Sequence, residues 1–324
     1  MRRAIIFGSL AIVVIAIGVV AAGYFYVTGY YKGTGPLQEA RTVVLERGSS
    51  ARTIVAKLED AGVIENGRLF LAGLWLEGGA GQLKPGEYEF PASISPKDVA
   101  AKLIAGDAVV RKLTIAEGLT TAEILALVEA ADGLKGEVGT LSGEGLLLPE
   151  TYHFAFGDSR AELIARMQTD LTKLIEELWP KRAKDLPFES AAEALVLASI
   201  VEKETGVATE RPKVAGVFVN RLRLGMALQS DPTVIFAITK GSGPLDRALT
   251  RKDLGIDSPY NTYKNTGLPP GPIANPGRAS IEAALNPMTT DALYFVADGK
   301  GGHAFANTLE EHNRNVAAWR RLNN

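Results

Sequence analysis

The stretch AAEALVLASIVEKETG, residues 191–206, decides how the second half of the chain folds. Its first eleven residues are nearly all Ala, Leu, Val and Ile, so a helix formed here is apolar on every side and must lie at the centre of a domain. Ser190 and Glu193 form a capping box, which predicts that the helix begins between them. We therefore expect an α+β fold whose C-terminal domain, residues 145–324, is built on this central apolar helix.

Two carboxylates lie at the end of the predicted helix, where charged groups adjoin buried aliphatic side chains. Glu202 continues one apolar face, whereas Glu204 lies about 200° around the axis, so only one of them shares that face. Burial and the negative end of the helix dipole both favour a protonated carboxyl group, which makes Glu202 a candidate general acid. Lys203 or Arg211 would oppose this effect if either folded over it. A solvated Glu at a frayed helix end is the simpler alternative.

The segments that follow supply candidate binding residues. Residues 212–224 are predicted to form a helix closed by Gly225, and Asn220 lies one turn beyond its apolar face. Gln229 and Ser230 come directly before Asp231, which precedes a proline and is expected first of all to be a helix N-cap.

A long proline-rich segment, residues 258–277, has no periodic pattern, and loops of this length usually have a function. Aromatic faces stack on sugar rings, and amide groups bind hydroxyl and acetamide groups. A surface loop stiffened by proline is the alternative. The groups that the loop offers for binding are Tyr260, Asn261, Tyr263, Asn265 and Asn275.

The N-terminus has the composition of a membrane anchor. Residues 4–27 contain no charge, and at about 1.5 Å per residue they span roughly 36 Å, enough to cross a bilayer. Arg2 and Arg3 precede this stretch, so the positive-inside rule places residues 1–3 in the cytoplasm and the later chain outside. The alternative, a cleaved signal peptide, has an apolar stretch of only about 7–15 residues. We expect a single-pass anchor in the cytoplasmic (inner) membrane and a catalytic domain on the periplasmic or outer side.

Three further segments lie between the anchor and the central-helix domain. Residues 28–40, rich in Gly and Thr, are predicted to be a tether. Residues 41–110 form a small module of strands and helices, and residues 111–144 repeat its strand–helix pattern as a connecting unit. Small units of this kind more often bind a ligand or position another domain than catalyse a reaction.

Composition excludes several classes of function. The chain has no cysteine, which removes disulfides, thiol nucleophiles and thiolate metal sites, and its formal net charge of −2 argues against nucleic-acid binding. His153, His303 and His312 do not occur at metal-ligand spacing, so each is expected to be structural and no metal is predicted. A pyridoxal-phosphate lyase using Lys203 is a further rival, but no glycine loop that would hold the phosphate accompanies that lysine. We therefore expect no cofactor.

The motifs together resemble those of the YceG-like endolytic murein transglycosylases. The similar segments are EGLLLPETYHF (144–154), ALVLASIVEKETGVATERPKVAGVFVNRLRLGMALQSDPTVIFAI (194–238), SPYNTYKNTGLPPGPIANPG (258–277) and LYFVADGKGGHAFANTLEEHN (293–313). The resemblance implies that Glu202 is the catalytic acid and that residues 41–110 are a LysM-like module. The substrate-binding residues that it implies are Asn220, Gln229, Ser230, Asp231, Tyr260, Asn261, Tyr263 and Glu204.

The resemblance also implies the reaction. Nascent peptidoglycan strands would be cut between N-acetylmuramic acid and N-acetylglucosamine near the membrane, leaving a 1,6-anhydro end. Because the muramyl 6-hydroxyl is the nucleophile, one Glu can act first as acid and then as base. The expected partners are peptidoglycan strands, the membrane and peptidoglycan synthases of the penicillin-binding class, but no nucleic acid. The alternative is a catalytically inert, membrane-tethered glycan-binding or scaffold protein, for which Glu202→Gln would leave function intact.

Overall fold

A computed structural model describes residues 2–79 and 81–322, with side chains from residue 7 onward. Residue 1 of the predicted cytoplasmic tail lies outside the described residues. The chain is a mixture of helices and short strands. It divides into two compact units, one formed by Met1–Arg111 with His153–Asp158 and the other by Lys112–Tyr152 with Ser159–Asn324.

The first unit begins with α1, Arg2–Lys32, which is long and apolar enough to cross a membrane. Its large apolar side chains between residues 7 and 26 are exposed. The helix continues through residues 28–32, where the composition predicts a tether. It does so because Tyr31 is buried against Phe70, with 6.2 Å between the ring centroids, and this packing stabilises the last turn.

The rest of the first unit is a small α+β module. Strand β1, Arg41–Leu45, pairs antiparallel with β2, Gly86–Phe90, and places Val43 opposite Tyr88. Its helices are α2, Ala51–Asp60, α3, Gly67–Leu76, and α4, Pro96–Ala105. Each begins at a side-chain cap, provided in turn by Ser50, Asn66 and Ser95.

Two strands and a helix lead into the second unit. Strand β3, Val110–Thr114, pairs with β4, Thr151–Ala155. Helix α5, Thr121–Ala130, begins at a capping box of Thr120 and Glu123.

Helix α7, Ala191–Glu204, lies in the core of the second unit. It begins at the capping box of Ser190 and Glu193, and its residues 196–201 are all buried. It packs against α8, Arg211–Arg223, and α10, Arg278–Leu285. The other helices of this unit are α6, Arg160–Leu178, α9, Asp231–Thr239, and α11, Leu309–Leu322.

A hairpin lies beside α8 and before α11. Strand β5, Tyr294–Ala297, pairs antiparallel with β6, His303–Ala306, and Phe295 lies opposite Phe305. Asp298 closes the turn, because its Oδ1 accepts hydrogen bonds from the backbone N–H groups of Lys300 (2.7 Å) and Gly302 (3.0 Å). This turn fixes the start of β6 and therefore the position of His303.

Candidate active site

The two carboxylates at the end of α7 have different partners. Glu202 Oε1 accepts a hydrogen bond from Arg211 Nη2 at 3.3 Å, and its Oε2 accepts one from the backbone N–H of Gly277 at 2.9 Å. The Glu202 side chain is only 4% exposed. Arg211 Nη2 also donates to Glu117 Oε2 at 3.4 Å, so one guanidinium holds two carboxylates. These bonds tie the end of α7 to the N-terminus of α8 and to the backbone before α10.

Glu204 lies on the other side of the helix and has no such ion pair among the described residues. Ser230 Oγ donates to its Oε1 at 2.5 Å. Burial raises the pKa of Glu204 to about 7, and the negative charge of Asp231 acts in the same direction, while the Ser230 hydrogen bond and the charges of His303 and Arg221 oppose the shift. A carboxyl group with this pKa is present in both protonation states near neutral pH, which suits a group that must donate and later accept a proton.

Glu204 lines a cleft with a volume of about 550 Å³, within the usual range for ligand sites. Aromatic rings form part of its wall, and polar and charged side chains form the rest. Glu202 is not among the lining residues, which are Glu204, Arg221, Leu228, Gln229, Asp231, Tyr263, Tyr294, Phe295, Val296, Ala297, His303, Leu309, His312 and Asn313.

Gln229, one of the residues that line this cleft, has a strained backbone conformation. Gln229 adopts a left-handed conformation with φ of 52°, which is unusual for a residue with a side chain and often marks a functional site. Its N–H donates to the carbonyl of Thr262 at 3.1 Å, and the N–H of Ser230 donates to Thr262 Oγ1 at 3.0 Å. These bonds hold the turn that aims the Ser230 hydroxyl at Glu204.

Asp231 is the first residue of α9, and Ser230, rather than Asp231, occupies the N-cap position. The Asp231 carboxylate is directed elsewhere, since its Oδ1 accepts a hydrogen bond from the Tyr263 hydroxyl at 2.7 Å. Burial, together with this bond, raises the pKa of Tyr263, which therefore stays protonated and remains a donor. The predicted N-cap role of Asp231 is therefore wrong, because Ser230 occupies that position.

Sequence reasoning missed several residues that line the cleft, among them Arg221 and His303. Arg221 is buried, and its Nε donates to the carbonyl of Leu293 at 2.6 Å. His303, which the spacing predicts to be structural, places its Nδ1 2.7 Å from Glu210 Oε2 and lines the cleft. The only signal in the sequence was the position of His303 directly after the glycine-rich turn.

Three predicted site residues lie outside the cleft, and their side chains contact other parts of the fold. Asn220 Nδ2 donates to the carbonyls of Thr290 (2.7 Å) and Ala292 (3.2 Å). Asn261 is fully buried, and its Nδ2 likewise donates to two backbone carbonyls at 3.0 and 2.8 Å. The ring of Tyr260 packs 4.8 Å from that of Phe236, centroid to centroid. These groups stabilise irregular segments that have few backbone partners of their own.

Two further loop residues lie outside the cleft as well. Asn275 is fully buried and accepts from the N–H groups of Leu146 and Leu147, both at 3.0 Å. Asn265 Nδ2 donates to the carbonyl of Ser258 at 2.9 Å. Five predicted site residues therefore meet in one place: Glu204, Gln229, Ser230, Asp231 and Tyr263. No cluster of three or more potential metal ligands occurs among the residues that the structure describes.

Comparisons with known proteins show which family the chain resembles over most of its length. Residues 43–318 match the model of the YceG-like family. The chain is 47% identical over 171 residues to the endolytic murein transglycosylase of Bacillus subtilis (strain 168), covering 53% of this chain and 46% of that protein. It is 32% identical over 321 residues to the endolytic murein transglycosylase of Streptococcus pneumoniae serotype 2 (strain D39 / NCTC 7466), covering 85% of this chain and 58% of that protein.

A solved structure is also similar. The crystal structure of a putative yceG-like protein from Listeria monocytogenes is 34% identical and has a TM-score of 0.53, and the match covers 86% of this chain and 99% of that one. The chain spans about half the length of the curated relatives it matches. Because the family match extends over most of the sequence and the relatives in sequence and in structure agree with it, the chain belongs to the YceG-like family.

Proposed function

We propose that this chain is a membrane-anchored endolytic murein transglycosylase in which Glu204 is the acid and then the base. The observation that carries this proposal is the carboxyl group of Glu204, which lines a cleft of about 550 Å³ and whose pKa is raised by burial to about 7. The names of the Bacillus and Streptococcus relatives support the same activity.

Glu204 fits the acid–base role better than Glu202, which the resemblance implied. Both carboxylate oxygens of Glu202 are already bound by the protein, one by Arg211 and one by the backbone N–H of Gly277, and Glu202 does not line the cleft. Glu204 has one hydrogen bond, from Ser230 to Oε1, and its Oε2 accepts none among the described residues. That second oxygen is therefore available to a substrate.

The proposed reaction needs one carboxyl group. Protonated Glu204 gives its proton to the oxygen of the bond between N-acetylmuramic acid and N-acetylglucosamine, and that bond breaks. The resulting carboxylate takes the proton of the muramyl 6-hydroxyl as its oxygen bonds to C1, which forms the 1,6-anhydro ring and restores the acid. No water is consumed and no second carboxylate is required. Proton transfer of this kind contributes about 10² to 10⁴ in rate.

The remaining cleft residues would position and stabilise the sugar. Positive charge develops on the ring as the bond breaks, and the carboxylate of Asp231, held by the Tyr263 hydroxyl, supplies a fixed negative charge nearby. The rings of Tyr294 and Tyr263 offer faces against which a sugar can stack. Gln229 offers an amide for hydroxyl or acetamide groups.

The anchor gives the proposed enzyme its location. With Arg2 and Arg3 inside, α1 would leave the catalytic unit outside the cytoplasmic membrane, where nascent strands emerge. We retain a LysM-like module within residues 41–110 as a glycan-binding or spacing element, and peptidoglycan synthases as partners, as parts of the same proposal.

Product analysis tests the proposed function. The full chain, purified in detergent, is incubated with polymeric peptidoglycan, and the new strand ends are identified by mass spectrometry. We expect 1,6-anhydro-muramic ends. Reducing ends would mean hydrolysis, and binding of glycan without any new ends would favour the inert scaffold alternative.

A further inference from the structure

The C-terminal half of α3 leaves large apolar side chains exposed. Trp75 is 72% exposed and Leu76 is 45% exposed. Residues 69–76 of this helix contain no charged side chain. Single exposed apolar residues are ordinary, but a contiguous patch marks an interaction surface.

The exposed end of α3 is continuous with apolar surface on α1. An apolar groove of about 360 Å³ lies between the two helices. Its walls include residues 20–27 of α1, within the segment that could cross a membrane. The larger side chains that line it are Val20, Tyr24, Val27, Trp75 and Leu76.

Close packing fixes the position of α3 along α1. Gly73 allows the approach, since a Cβ atom at this position would lie 2.3 Å from the ring of Tyr31. The Tyr30 hydroxyl accepts from the N–H of Asn66 at 2.9 Å and donates to its carbonyl at 3.2 Å. Trp75 therefore stays at the level of residues 20–27.

The depth of that level follows from the length of the exposed apolar stretch on α1. The stretch from residue 7 to residue 26 has 20 residues, which at about 1.5 Å per residue covers roughly 30 Å, the thickness of a bilayer's hydrocarbon core. Its outer boundary then falls near Tyr24 and Tyr26, residues of the type that favours the membrane interface. Charged groups begin directly after Leu76, where Glu77 pairs with Lys97 at 2.9 Å.

We propose that the outer leaflet of the bilayer covers the surface formed by α1 and α3, with Trp75 and Leu76 inserted at the boundary between headgroups and acyl chains. This inference rests on the proposed role of α1 as a membrane span. The first unit is then held against the bilayer by two helices, and residues 28–40 do not act as a flexible tether. Trp is enriched at this depth in membrane proteins, which agrees with its exposure here.

Depth measurements by electron paramagnetic resonance test this placement. Because the chain has no cysteine, a nitroxide can be attached at one introduced Cys in the full chain without other changes. Three variants are reconstituted in vesicles of phosphatidylethanolamine and phosphatidylglycerol: Trp75→Cys, Ile15→Cys within the span, and Arg52→Cys on the exposed face of α2. For each label, collisions with oxygen, which concentrates in lipid, are compared with collisions with a water-soluble nickel chelate.

We expect the label at position 75 to have an oxygen-to-nickel ratio well above that at position 52 and below that at position 15. If position 75 resembles position 52 while position 15 is shielded from nickel, the span stands and the inserted α3 is refuted. If positions 15 and 75 are both open to nickel, the span itself fails, and the inference fails with it. A label at position 75 that neither reagent reaches would mean that protein, such as a second copy of the chain, covers the surface instead.

Discussion

Removing the Ser230 hydroxyl should move the pH dependence of cleavage in a direction that the structure fixes. Ser230 Oγ donates to Glu204 Oε1 at 2.5 Å, and this bond favours the carboxylate and so lowers the pKa of Glu204. A hydrogen bond to a charged group contributes roughly 1.5–3 kcal/mol, and about 1.4 kcal/mol corresponds to one pKa unit. Ser230→Ala should therefore raise the pKa of Glu204 from about 7 by about one unit or more.

The sign follows from the proposed order of proton transfers. The free enzyme must begin with protonated Glu204, so kcat/KM falls as the pH rises through the pKa of this group. A higher pKa moves that fall to higher pH, by about one pH unit in Ser230→Ala. The assay is the rate at which anhydro ends form from polymeric glycan, measured across neutral and alkaline pH.

Ser242→Ala is the matched control. The Ser242 hydroxyl is exposed and donates to the carbonyl of Thr239 at 2.7 Å, just beyond α9 and outside the cleft. Its profile should equal that of the unaltered chain. An alkaline limb that stays in place in Ser230→Ala, or that moves to lower pH, would refute the assignment of Glu204, and an unmoved limb is what Glu202 as the acid would produce.

Three further changes test other parts of the site. Glu204→Gln should raise the free energy of unfolding at pH 8 by up to about 3 kcal/mol. The reason is that folding raises the pKa of Glu204 from 4.5 to about 7, so the folded state is penalised when this group is charged. The gain in stability should vanish near pH 4, and thermal melts at pH 4 and pH 8 would show the difference. Arg211→Met should destabilise the fold by about 3 kcal/mol in denaturant titration, since it leaves the carboxylate of Glu202 buried without its ion pair. Gln229→Gly should keep the free energy of unfolding within about 1 kcal/mol, because glycine accepts the left-handed backbone, yet it should slow cleavage because the side chain lines the cleft.

Each of these predictions has a contradicting outcome. A stability gain of Glu204→Gln that is equal at both pH values would mean that burial does not penalise the charge. Arg211→Met as stable as the unaltered chain would mean that Glu202 is solvated. Full cleavage by Gln229→Gly would remove the side chain from the proposed substrate contacts.

Sequence periodicity could place the two carboxylates on different faces of the helix, but it could not predict which of them lines the cleft. The rotation of about 200° correctly places Glu202 and Glu204 on different faces of α7. Which face meets the cleft depends on groups far along the chain: Arg211 reaches Glu202 from α8, and Ser230 reaches Glu204 from the start of α9. The pattern of hydrophobic residues alone favoured Glu202 as the catalytic acid, because such a pattern does not predict that the guanidinium of Arg211 lies beside it.

The composition of the long loop was a weaker guide than the positions of its residues. Amides that suit a sugar also suit backbone carbonyls, and Asn261 is used in that second way. Conversely, His303 and Glu210 are in contact although they lie 93 residues apart in sequence, so no local pattern predicts this pair. Capping boxes, by contrast, are local, and the one at Ser190 is present where the sequence predicts it.

The pair Glu204→Gln and Glu202→Gln tests the central claim most directly. Both substitutions remove a titratable carboxyl group at the same end of α7 and keep its size and shape. The measurement is the rate of anhydro-end formation from polymeric glycan by each full-length variant. We expect Glu204→Gln to lose at least the roughly 10²-fold that a proton-transfer group contributes, and Glu202→Gln to retain most of the activity. Loss of activity in Glu202→Gln with normal rates in Glu204→Gln would contradict the account.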